Sequence, residues 1–207
     1  SADECIHKGL ALLDQQRDQD LVRVAFGPHS PYTVEQQTLN RIQTLADELD
    51  TGIQIHMHET AAEVAAAQDR WGTSWVRHLQ SLGLLTSNLQ AVHMTQLDDE
   101  EIELVANAGT HVIHCPQSNL KLASGRCRVA DLSNAGVNVC LGTDGAASNN
   151  SLDLFQEMRT AALIWKSSTN DAAAAPAADM LQMATIGGAR ALNLDHLIGS
   201  VEVGKAA

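Results

Sequence analysis

Short apolar, β-branched runs alternate along this chain with longer stretches whose apolar positions recur every three or four residues. The first run, Leu21-Val-Arg-Val-Ala-Phe26, stops at Gly27-Pro28 and reads as a strand. Thr33-Val-Glu-Gln36 then has the form of a capping box, and it opens a helix with Leu39, Ile42, Leu45 and Leu49 on one face. Gly52 ends that helix, and Ile53-Gln-Ile-His-Met-His58 is the next strand. The stretch from Ala61 to Leu82 reads as one or two helices broken near Gly72. Gln90-Ala-Val-His93 is a short strand, and Asp98-x-x-Glu101 caps a helix that ends near Gly109. Thr110-His-Val-Ile-His114 and Val137-Asn-Val-Cys-Leu141 are strands on either side of a short helix, Val129 to Asn134. Helices over Leu152 to Trp165 and Ala177 to Leu192 complete the pattern.

Strand–helix–strand alternation requires parallel strands joined by helical crossovers, so the fold class is α/β. Five strand segments fit an open doubly wound sheet and part of a closed barrel equally well. The Ala-rich segment Asp171 to Asp179, which contains Pro176, reads as a loop entering a helix rather than a linker between domains.

Composition narrows the class of protein. The chain has 207 residues, 44% of them hydrophobic, and a formal net charge of −12. That balance excludes a generic binder of nucleic-acid backbones, which needs a basic stripe. No apolar run approaches the ~18 residues of a membrane span, and the first residues carry no secretory pattern. The expectation is an acidic cytoplasmic protein. Cys5, Cys115, Cys127 and Cys140 are widely spaced without a C-x-x-C pair, and read as small buried hydrophobes. Trp71, Trp75 and Trp165 fall on predicted helices and read as packing residues.

Chemistry enters where the strands end. His29 follows Phe26-Gly-Pro, His56 and His58 close the second strand, His93 closes the third, His114 the fourth, and Asp144 follows Cys140-Leu-Gly-Thr. In a parallel sheet all C-terminal strand ends lie on one side, so these residues converge; in a (β/α)₈ barrel that is where active sites are built. Neutral histidines with a carboxylate suit a hydrolytic Zn²⁺ or a similar ion. His56 and His58, two apart on a strand, point the same way and could both ligate one metal. Glu59 opens another arrangement, with a ligand at His56 and a carboxylic acid just beyond it. His111 and His114 read as structural, and Asp144 as a ligand or base.

Four segments carry a resemblance: Gly27-Pro-His-Ser-Pro-Tyr32, Ile55-His-Met-His-Glu-Thr60, His114-Cys-Pro-Gln-Ser-Asn-Leu-Lys-Leu122 and Leu141-Gly-Thr-Asp-Gly-Ala-Ala-Ser-Asn-Asn150. Together they resemble the amidohydrolase superfamily, and within it the 5′-methylthioadenosine/S-adenosylhomocysteine deaminase group. The resemblance implies a distorted (β/α)₈ barrel holding one divalent metal, usually zinc, with iron as the alternative. By motif, His56 and Asp144 are implied metal ligands, and Glu59, His93 and Asp144 the catalytic residues. Glu59 is the proton shuttle, His93 orients the attacking water, and Asp144 is also the base. His29, Glu59 and Asp144 would touch substrate, while His58 receives no role from the family. The implied reaction is hydrolytic deamination of an adenine nucleoside to the inosine derivative and ammonia.

The family pattern also requires a His-x-His upstream of Gly-Pro-His-Ser-Pro-Tyr, and residues 1–28 contain none. A complete barrel takes ~250 residues. The chain therefore reads as one partial barrel domain over 1–207, covering roughly barrel strands four to eight, without activity by itself. A triazine chlorohydrolase or guanine deaminase type of amidohydrolase is the second reading. A non-catalytic metal- or ligand-binding α/β module is the third. The partner expected is a small molecule, with neither nucleic acid nor membrane; a homo-oligomer covering the open edges is compatible with this reading.

Overall fold

The computed structural model describes residues 1–206. Its centre is a four-stranded parallel sheet of β1 (Ile53–Met57), β2 (Leu89–His93), β3 (His111–His114) and β4 (Val139–Leu141), side by side in chain order. Two helices precede it, α1 (Ala2–Gln16) and α2 (Gln36–Leu49). The crossovers are α3 (Ala61–Trp71) with α4 (Trp75–Ser81), then α5 (Asp99–Ala108), then α6 (Pro116–Lys121) with α7 (Val129–Asn134). After β4 come α8 (Leu154–Thr169), α9 (Ala177–Ala184) and α10 (Ile186–Ala191). The strand order never reverses, whereas a doubly wound sheet reverses at its switch point.

Of the five expected strands, the first is corrected. Phe26 alone pairs, through an isolated parallel bridge to Ile53. Its amide donates to Gly52 O and its carbonyl accepts from Gln54 N. Leu21 is 99% exposed and Val22 43%, so the apolar run has no layer to bury it and the ladder does not extend. The reading of Thr33 as a helix cap also fails. Helix α2 starts at Gln36 with no side-chain cap, because the Thr33 hydroxyl bonds Ser30 and the His29 ring instead. Elsewhere the caps follow the sequence closely. Asp98 and Glu101 form a reciprocal capping box, and Gly109 ends α5 in the left-handed region. Gly72, also left-handed, separates α3 from α4.

The two faces of the sheet are unequal. Ile53, Ile55, Met57, Leu89, Ala91, Val112, Val139 and Leu141 face the helices, in one apolar cluster with Val76, Ile102, Val105 and Leu132. Each large side chain fully buried there contributes about 1.5–3 kcal/mol. The opposite face carries a much smaller cluster of Val92, Ile113, Cys115, Cys140 and Ala191. Helix α10 is tied to that side by Gln90 Nε2, which donates to Ala191 O at 2.8 Å. The strict period of two along β1 thus places Gln54 and His56 opposite the apolar triplet. Cys115, Cys127 and Cys140 are buried as expected; Cys5 is exposed.

Candidate active site

The parallel register aligns the strand ends. Met57 pairs with His93, and His114 with Leu141, so the residues leaving these strands emerge along one edge. Three strands end in a backbone turn of positive φ: His58 (51°), His93 (77°) with Met94 (47°), and Asp144 (59°). Such conformations cost about 1–3 kcal/mol for a residue other than glycine, and they cluster where side chains must be re-aimed. Local bonds over-determine these turns. Glu63 accepts from the His58 and Glu59 amides with its two carboxylate oxygens, at 2.9 and 2.8 Å. The Thr95 hydroxyl donates to Glu59 O at 2.6 Å.

The re-aimed side chains meet. One ligand atom from each of His56, His93 and Asp144 lies within 4.8 Å of the others. The His56 and His93 rings stack at 5.4 Å between centroids, and the His29 ring is 5.1 Å from that of His56. Glu59 Oε2 is 3.9 Å from His93 Nε2. All five residues singled out from the sequence therefore form one group at the ends of β1, β2 and β4 and beside the Phe26 bridge.

Hydrogen bonds prepare these groups for their chemistry. His56 Nδ1 donates to His29 O at 2.7 Å, and His93 Nδ1 donates to Asn119 Oδ1 at 2.8 Å. Each ring then keeps Nε2 as the nitrogen with a lone pair. Asp144 Oδ2 accepts from Ser118 Oγ at 2.6 Å, and Oδ1 from Gly145 N at 2.7 Å. Burial works against its charge. The Ser118 hydroxyl, the Gly145 amide and His93 outweigh burial and hold the carboxyl below the ordinary aspartate range. Two imidazole nitrogens and an anionic oxygen at this spacing fit a divalent ion such as zinc. Metal-ligating histidines characteristically commit their other nitrogen to an acceptor, as His56 does here.

The remaining histidines are placed elsewhere. His58 is fully buried; its Nδ1 donates to Gln96 O at 2.6 Å and its Nε2 accepts from Val76 N at 3.3 Å. With both nitrogens engaged it joins β1 to α4 and has no lone pair left for a metal. His111 bonds Asn138.

His114 is buried at the wall of a cavity of about 110 Å³ between α7 and α8, and neither of its nitrogens has a partner. Burial, reinforced by His93, lowers its pKa from 6.5 to about 3. The unfolded chain therefore binds a proton below pH 6.5 that the fold refuses until about pH 3. This histidine's contribution to stability is full above 6.5 and is lost as pH falls through that window. The loss amounts to about 2 kcal/mol at pH 5, at 1.36 kcal/mol per pH unit. In His114→Leu, the difference in unfolding free energy between pH 7 and pH 5 is expected to shrink by that amount. Urea titration at the two pH values measures it, and an unchanged difference would refute the assignment.

A profile of the amidohydrolase family matches residues 3–207. The chain belongs to the amidohydrolase family. Across all 207 residues it is 53% identical to a 5-methylthioadenosine/S-adenosylhomocysteine deaminase from Teredinibacter turnerae, of which it covers 47%. An adenosine deaminase from Xanthomonas campestris, solved with bound zinc, superposes with a TM-score of 0.96 at 51% identity. The match covers 99% of this chain and 47% of that one. An atrazine chlorohydrolase from Arthrobacter aurescens complexed with zinc superposes at 0.93 with 26% identity, over the whole of this chain and 46% of that one. The chain thus spans about half the length of the curated relatives it matches. No helix among the described residues is long and apolar enough to cross a membrane.

The group is also held by residues that carried no role in the sequence reading. Ser118, Asn119 and Ser124 each bond one member of the group, the last through Ser124 Oγ to Glu59 Oε1 at 3.1 Å. Glu63, which holds the β1 turn, had a visible signal in Thr60-x-x-Glu63, the capping-box spacing at the start of α3.

Proposed function

We propose that this chain is the part of a metal-dependent hydrolytic deaminase, acting on adenine nucleosides such as 5′-methylthioadenosine and S-adenosylhomocysteine, that supplies roughly strands four to eight of its barrel. The observation that carries the reading is the convergence of His56, His93 and Asp144 donor atoms within 4.8 Å, with Glu59 beside them. The adenine substrate class is supported by 53% identity to a deaminase so named, against 26% to the triazine-acting relative. The unreversed strand order supports the barrel assignment.

His56 and Asp144 would hold the ion, and a zinc ion held there would acidify a water towards a pKa of ~7. The chain's own residues do the rest. Asp144 takes the proton of the attacking water, its anionic form maintained by Ser118 and Gly145. His93 orients that water with Nε2, because Nδ1 is committed to Asn119. Glu59 gives a proton to the ring nitrogen next to the attacked carbon, making that carbon electrophilic. His29, exposed at the rim, contacts the substrate.

The reading is tested in the complete enzyme that contains this chain. Zinc-dependent ammonia release is expected from methylthioadenosine and S-adenosylhomocysteine, well above that from guanine or a chlorotriazine. The 207-residue chain alone is expected to show negligible turnover with added zinc. A preference for guanine or triazine would overturn the substrate class, and robust turnover by the chain alone would overturn the partial site.

A further inference from the structure

The segment Ser118-Asn-Leu-Lys-Leu-Ala-Ser124 contributes no reacting group, yet its side chains touch three members of the group. Ser118 and Asn119 are consecutive on α6 and fully or almost fully buried, at 0% and 2% exposure. Adjacent helical side chains diverge by about 100°, so one short helix can reach two targets. Ser118 Oγ donates to Asp144 at the end of β4, and Asn119 Oδ1 accepts from His93 at the end of β2. The helix therefore bridges two strands that are not neighbours in the sheet, across the end of β3.

The platform is itself anchored from behind. Glu157 on α8 is fully buried, and its Oε2 accepts from Gln117 N of α6 at 3.1 Å. Its Oε1 accepts from Asn149 Nδ2, which also donates to Thr143 O. One carboxylate thus clamps the start of α6 and the loop carrying Asp144 to the same helix. These bonds fix two side chains whose backbones lie in the strained left-handed region.

From this juxtaposition we infer that Ser118 and Asn119 are positioning residues: Asn119 sets the tautomer of His93, and Ser118 sets the orientation of the Asp144 carboxylate. The inference rests on the proposed use of His93 and Asp144 at a metal. Without the Asn119 acceptor, His93 is free to carry its proton on Nε2 and turn a donor, not a lone pair, towards the site. Without the Ser118 hydroxyl, Asp144 keeps only the Gly145 amide.

Two measurements decide it, imidazole tautomers in the 207-residue chain and zinc affinity in the complete enzyme that contains it. Long-range ¹H–¹⁵N spectra of the apo chain report the imidazole tautomers directly. His93 is expected to be protonated at Nδ1 in the unmodified chain and in Asn119→Asp, and to lose that preference in Asn119→Leu. Zinc titration is expected to show affinity 10–100-fold lower in Ser118→Ala, the usual effect of removing an outer partner of a ligand, with the apo melting temperature close to that of the parent. A His93 proton on Nε2 in the unmodified chain would overturn the inference whether or not any variant folds. Equal zinc affinity in parent and Ser118→Ala would overturn the Ser118 half. A complete enzyme that binds no zinc refutes the metal reading instead, and the tautomer measurement still judges Asn119.

Discussion

Glu59→Gln in the complete enzyme is expected to lower kcat by about 10²–10⁴-fold, the range lost with a general acid, while metal content stays at that of the parent. The substitution is nearly isosteric, and the remaining carbonyl oxygen still accepts from Ser124 Oγ. The backbone around residue 59 is held independently, by Glu63 on its amide and Thr95 on its carbonyl. What disappears is the ability to hold and release a proton 3.9 Å from His93 Nε2. KM should change little, because an amide occupies the same space as the acid. Steady-state kinetics with metal analysis of the same preparation check this. Full turnover with metal retained would remove Glu59 from the proton path.

The site was more legible in the sequence than the elements around it, for a physical reason. Strand-end chemistry in a parallel sheet is one-dimensional information: a polar residue directly after an apolar run must lie at the C-terminal edge. His56, His93 and Asp144 could be grouped this way although 88 residues separate the first from the last. The residues that hold them are not visible by the same logic. Helix α6 has six residues, too few for a periodic pattern, and it begins at Pro116. Ser118 and Asn119 gain their meaning only when β2 and β4 flank the end of β3. The failed strand at Leu21–Phe26 shows the converse limit. Its alternation is sound, but a strand also needs a partner ladder and a covering layer, and pattern alone contains neither. Thr33 and Asp98 show how local chemistry is arbitrated. Both have cap spacing, but the single Thr33 hydroxyl is taken by Ser30 and His29, whereas Asp98 has two carboxylate oxygens, so Oδ1 accepts from Glu101 N while Oδ2 accepts from Arg77.

Away from the site, one ion cluster joins α4 to α5. Arg77 on α4 donates from Nη1 to Glu101 Oε1 at 2.7 Å, and from Nη2 to Asp98 at 2.7 Å and Glu100 at 3.0 Å. The Glu101 side chain is only 4% exposed, while that of Arg77 is 31% exposed. Removing one partner of a buried pair costs 3–5 kcal/mol, because the remaining charge stays buried without compensation. Arg77→Met keeps most of the apolar stem and deletes the charge. It leaves Glu101 beside Asp98 and Glu100, with the Asp98 amide as its remaining donor. The expected loss is about 3 kcal/mol, at the low end because Arg77 is partly solvated. For a chain of this size that lowers Tm by roughly 6–12 °C, at 2–4 °C per kcal/mol. Adding Glu101→Gln to Arg77→Met should recover a large part of the loss, since the stranded charge is then gone. Additive losses in the double-mutant cycle would mean that the pair is not coupled and that α4 and α5 are joined by packing alone.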